Sequence, residues 1–230
     1  MKNTLLLFLM ILCVFGGSSL LAQGFSINKS SIKIERAFVK APVFNVAQRT
    51  YKALTKPASE VRWLQFLVSY EPKSAGSKTV WEDDLVIEMV VLLPAKKNQG
   101  YGDVIVMQGK QVLYSVPGDG KQHYALFLIP PSLLKKYTSL TKFDSRTADN
   151  SVYAAVIFRR GRNNQILATG YAQMKNKSVS EISRLFEQYH KSKIGVMKVD
   201  NGILPKEKTP WQWIDMDIFD TPKSMIEGTK

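Results

Sequence analysis

The stretch that decides the fold is Asp84–Ile129, DLVIEMVVLLPAKKNQGYGDVIVMQGKQVLYSVPGDGKQHYALFLI. Asp84–Leu93 is almost wholly apolar, the composition of a central strand covered on both faces. Pro94 ends it, and the polar Lys96–Tyr101 segment with Gly100 reads as a loop. Asp103–Gln108 and Gln111–Val116 then read as two strands joined at Gly109-Lys110, a Gly-X pair suited to a two-residue type II′ turn. Pro117-Gly118-Asp119-Gly120 is a dense turn signal. His123–Ile129 follows and stops at Pro130-Pro131. Four strands with short connections predict a mainly β protein: an immunoglobulin-like antiparallel β-sandwich, with one amphipathic helix near the C-terminal third.

Upstream, Ser31–Lys40 alternates Ile32 and Ile34 against Lys33 and Glu35, a half-exposed first strand. Pro42 interrupts it, and Val43–Val46 continues it after a bulge or sheet switch. Gln48–Glu60 is a long polar loop whose cations include Lys52 and Lys56, and its length makes it a candidate for function. Val61–Tyr70 is a strand with Leu64, Phe66, Val68 and Tyr70 on one face and Trp63 and Leu67 on the other. Glu71–Thr79 is a turn-rich connection.

Downstream, Ser132–Tyr137 reads as a short helix with Ser132 as cap, and Asp144–Asn150 as a loop. Ser151–Arg159 and Gln165–Gln173 form a hairpin whose tip carries Arg159, Arg160 and Arg162. Ser178–Lys191 is the long helix: Ser178 and Glu181 form a capping box. Ile182, Leu185, Phe186 and Tyr189 supply its apolar stripe, expected to plug an open end or cover a sheet edge. Ile194–Val199 is a further strand. Trp211–Phe219 alternates strictly, with Ile214, Met216 and Ile218 opposite Trp211, Trp213, Asp215 and Asp217.

The N-terminus reads as an export signal. Lys2 precedes the apolar Leu5–Gly17, and Ala22 stands at the cleavage position, so residues 1–22 are the signal peptide. Residues 23–219 are then one sandwich domain and residues 220–230 a loose tail. Loss of Lys2 leaves 31 basic against 19 acidic residues, a net charge of +12. The sole cysteine, Cys13, leaves with the signal, which excludes disulfides, a thiol nucleophile and thiolate metal ligands from the mature chain.

The basic residues are dispersed, which fits solubility and protected strand edges. A sharper alternative is attraction to anionic envelope polymers. Export sets nucleic acid aside as a partner, and after signal removal nothing marks an integral membrane protein. His123 and His190 are the two histidines, and neither has an Asp or Glu at ligand spacing. With no G-x-S-x-G stretch either, no catalytic residue, metal or cofactor is assigned. The binding candidates are Trp211 and Trp213, as a platform for sugar rings, the arginine tip, and Lys52 and Lys56. For the tryptophans the core is the preferred reading, and for the arginines a solvated loop.

The signal peptide, Ile32–Val46, Lys56–Phe66 (KPASEVRWLQF), Trp81–Leu85 (WEDDL) and Tyr114–Pro117 (YSVP) together resemble a family of exported proteins of mucus-associated verrucomicrobial bacteria, encoded beside type IV pilus assembly components. The resemblance implies an immunoglobulin-like sandwich and a role in pilus assembly or at the cell surface. No apolar helix follows the signal, so this chain is not expected to polymerise as an ordinary type IV pilin. A non-enzymatic protein of the periplasm or cell surface, working through contacts with other envelope or pilus-assembly proteins, is the expectation. A module for glycans or acidic polymers is the alternative.

Overall fold

The structure is a computed structural model that describes residues 24–40, 62–97, 100, 102–191 and 196–210. Residues 1–22, read as a signal peptide, Val43–Val46, Gln48–Glu60 with Lys52 and Lys56, Ile194, and Trp211–Phe219 with Trp211 and Trp213 lie outside the described residues.

In chain order the strands are β1 (Phe25–Ile27), β2 (Lys33–Lys40), β3 (Arg62–Tyr70), β4 (Pro72–Ser74), β5 (Trp81–Pro94), β6 (Val104–Pro117) and β7 (His123–Ile129). Two short helices, α1 (Pro131–Tyr137) and α2 (Ser145–Ser151), precede β8 (Tyr153–Arg159) and β9 (Ile166–Tyr171). Helix α3 (Val179–Lys191), β10 (Val196–Val199) and β11 (Leu204–Pro205) follow. One sheet has the order β10-β6-β5-β8-β9 and the other β11-β7-β3-β2, with β1 and β4 paired separately.

The sheets pack face to face, the expected sandwich. Leu64, Phe66, Val68 and Tyr70 of β3, with Phe127 and Ile129 of β7, meet Leu85, Ile87, Met89, Val91 and Leu93 of β5 in one buried cluster. Tyr70 and Phe158 touch across the layers at 4.9 Å between ring centroids. On the outer side of the second sheet, Trp63 and Leu67 pack with Leu126 and Leu128, so β3 is apolar on both faces as expected.

The central stretch departs from expectation at Gly109-Lys110. There is no turn there: Val104–Pro117 is one strand, and it pairs with β5 in a single register from Trp81↔Pro117 to Pro94↔Val104, interrupted at Asp84, whose backbone is left-handed, and continuous through Gly109. Gly109 sits in that ladder opposite Met89. Its missing side chain makes room for the later segment at Ile203, whose carbonyl oxygen would lie 2.1 Å from a Cβ at position 109. The stretch thus holds three strands, and the third, β7, pairs with β3 in the other sheet.

Other differences are local. Glu71–Thr79 contains a strand, since Pro72–Ser74 pairs with Phe25–Ile27. Asp144–Asn150 is no loop: Asp144 accepts from the Thr147 backbone N–H at 2.8 Å and caps α2. In α1 the cap is Pro130 rather than Ser132, with proline at the first helical position. Strand β10 runs parallel to β6, Val196 beside Val104, within otherwise antiparallel sheets.

The capping box of α3 forms as read. Glu181 accepts from the Ser178 N–H at 2.8 Å, and the Glu181 N–H reaches Ser178 Oγ at 3.4 Å. The helix lies on the outer face of the first sheet, neither plugging an end nor covering an edge. Ile182 and Phe186 pack on Val90, Leu92, Val106 and Ala155, and Tyr171 bonds Ser183 at 3.1 Å. The even-numbered β5 residues Val90 and Leu92 are apolar and point away from the sandwich, so they need this cover.

Candidate functional site

Helix α3 covers only part of that outer face. Among the described residues, the rows nearer the start of β5 are left uncovered and form a polar trough of about 440 Å³. Its floor is Val86 and Glu88 of β5 with Gln108 and Lys110 of β6. One wall is the end of β8 and its tip, Arg159 and Asn164; the other is the turn after β10, Asp200 and Asn201.

Alternation places the floor residues. Glu88 and Lys110 are directly paired across the β5–β6 ladder, so both side chains stand on the outer face. Arg159 pairs with Val86 on the other flank, and its Nε donates to Glu88 Oε2 at 3.1 Å. Glu88 is thus flanked by a cation from each neighbouring strand. Asn164 and Asn201 both have left-handed backbones, with φ of 55° each, and among the described residues only Asp84 shares this conformation without being glycine.

The three arginines of the tip are brought together, and each meets an acid. Arg159 holds Glu88; Arg160 Nε lies 3.4 Å from Glu82 Oε2; Arg162 donates to Asp83 Oδ2 at 3.3 Å. Arg160 also donates to the Phe25 carbonyl oxygen at 3.1 Å. Gly161 is what lets the tip lie against β5, since a Cβ there would stand 2.4 Å from the Asp84 carbonyl oxygen. Burial pushes the Glu82 carboxyl above its usual value despite Arg160 and Arg162.

Two features escaped the sequence. Trp81 is 59% exposed and Tyr114 52% exposed on the β5–β6 stem, beyond the end of the β8 ladder at Val86. Trp81 pairs with Pro117, three residues from Tyr114, a separation of about 10 Å along the strand. The second is His123, which has an acidic neighbour after all: Nε2 lies 3.1 Å from Asp119 Oδ1. Burial works to raise the Asp119 carboxyl, but the Lys121 backbone N–H and His123 outweigh it and hold it below its usual value. The i, i+4 spacing in the sequence was the available signal.

Among the described residues, no group of three His, Cys, Asp or Glu is placed to hold a metal, and no helix is long and apolar enough to cross a membrane.

A family model matches residues 22–225, nearly the whole chain. The chain belongs to that family. A crystal structure of a protein from Akkermansia muciniphila, a verrucomicrobe, has the same fold, with a TM-score of 0.58 at 17% identity. The match covers 86% of this chain and 92% of that one. No curated protein matches the chain.

Proposed function

We propose that this family member is a non-enzymatic exported protein that acts in the periplasm or at the cell surface through contacts with other proteins, among them components of pilus assembly. The observation that carries the reading is Trp81, exposed on the same β5–β6 stem as Tyr114 and the Arg162–Asp83 pair. Tryptophan, tyrosine and arginine dominate the energetics of protein interfaces. Among the described residues the β5 end at Trp81 pairs with β6 alone, and that ladder fixes the backbone from which the indole is presented, which limits the ordering cost of binding. The N-terminal pattern of Lys2, an apolar run and Ala22 supports export, and the resemblance noted above supports the link to pili.

The test is affinity capture from envelope extract with residues 23–230, beside the Trp81→Ala and Trp81→Ala/Tyr114→Ala forms. Enrichment of pilus assembly proteins that falls at least tenfold in the variants is the expected result. Equal capture by all three forms, or no pilus component captured, would overturn it.

A further inference from the structure

We infer that the trough on the outer face of the first sheet is a binding site for an uncharged carbohydrate. It is independent of the Trp81 surface, which lies beyond the end of the β8 ladder.

The charge balance selects the ligand class. The protein is strongly basic, yet the trough carries two acids, Glu88 and Asp200, against two cations, Arg159 and Lys110. An anion would meet two carboxylates, and a cation would meet a guanidinium and an ammonium. An apolar ligand would strip water from four charges without returning hydrogen bonds. A polyhydroxylated, neutral ligand fits instead, because each of its hydroxyls both donates and accepts. The carboxylates accept, the cations donate, and the carboxamides of Asn164 and Asn201 do both. A trough of about 440 Å³ lies in the range of small-molecule sites. The Arg159–Glu88 bond holds both planar groups in fixed orientation before any ligand arrives.

The rim adds an independent argument. Both walls turn on a residue at φ of 55°, where glycine meets no steric cost, and both carry asparagine. The two walls come from segments far apart in the chain, yet each contributes an asparagine to the lining of the same trough. Left-handed side-chain-bearing positions of this kind point from an observed conformation towards a use for the side chain.

That conformation also supplies a clean test. Asn164→Gly and Asn201→Gly keep the required backbone and remove only the carboxamides, so the fold should survive, as thermal melting would verify. The exported protein and the double variant would be applied to an array of neutral and acidic oligosaccharides, and hits quantified by calorimetry. Binding of neutral oligosaccharides by the parent, weakened at least tenfold in the double variant, is the expected result. No glycan bound, glycan binding confined to sulfated or acidic members, or affinity unchanged in the double variant would each overturn the inference.

Discussion

Gly109 lies directly against Ile203, with the Ile203 carbonyl oxygen 2.1 Å from where a Cβ would stand. The Ile203 N–H donates to the Gln108 carbonyl at 3.3 Å, and the next two residues, Leu204 and Pro205, pair with Leu128 and Phe127 of the opposite sheet. The chain therefore crosses from one layer to the other over Gly109. Gly109→Ala puts a methyl group against backbone held on both sides, and such overpacking costs about 1–3 kcal/mol. Urea unfolding of the variant should show a loss at the upper end of that range, with an unchanged m-value. A loss below about 0.5 kcal/mol, the level of an ordinary surface change, would mean the crossing moves aside easily.

Arg36 makes a second tie, on the opposite flank. Its side chain is 5% exposed and donates to the carbonyls of Val152 and Gln173, both at 2.6 Å, and to Met174 Sδ at 2.9 Å. Burial pushes its guanidinium below the usual value, partly countered by Asp149. Arg36→Met would leave the two carbonyls without this donor, at about 2–4 kcal/mol from charge-assisted bonds lost. Asp149→Ala should cost under about 1 kcal/mol, because that contact is 3.5 Å long and the aspartate is largely exposed. Equal losses in the two variants would show that charge pairing, not the carbonyl contacts, gives Arg36 its weight.

Two carboxyls give opposite pH signatures. Hydrogen bonds from the Ser178 backbone and side chain hold the Glu181 carboxyl below the ordinary glutamate value of 4.5, so its contribution is present above pH 4.5 and fades as pH falls further. Glu82 is raised above 4.5 by burial, so its contribution is full below pH 4.5 and is lost as pH rises through its folded value. Relative to the parent, Glu82→Gln should therefore gain stability between about pH 4 and 7, and Glu181→Gln should lose it on going from about pH 3 to 5. Thermal melts across pH would check both slopes; a Glu82→Gln difference that is flat with pH contradicts the first.

Ile182 is fully buried between α3 and the outer face of the first sheet. Ile182→Ala should cost about 2–5 kcal/mol, the range for deleting a buried aliphatic side chain. Hydrogen exchange should show whether α3 loosens alone or with the sandwich. Protection lost across the helix alone is the expected pattern, since the main core lies on the other side of the sheet.

Periodicity made β3, the β8–β9 hairpin and α3 legible, since burial on one face forces a repeat of two or 3.6 and Ser178 with Glu181 marks a helix start. The helix Ser145–Ser151 was hidden because SRTADNS carries almost no apolar residue: its cap at Asp144 was written in the sequence, but its single buried side chain is Ala148. Gly109-Lys110 misled for a related reason. A glycine that admits a turn and one that admits a crossing backbone look the same locally.

Of the candidate site, the sequence supplied the tip arginines but not their acids, nor the trough. Strand identity, the capping box and the apolar faces follow from neighbours within a few residues, where side-chain alternation and local hydrogen bonds act directly. Glu88 beside Arg159, Asp200 facing Asn164, and Ile203 over Gly109 join positions 36 to 94 residues apart. Only the strand order and the crossing between layers decide such contacts, because they depend on which ladders pair once the core has closed.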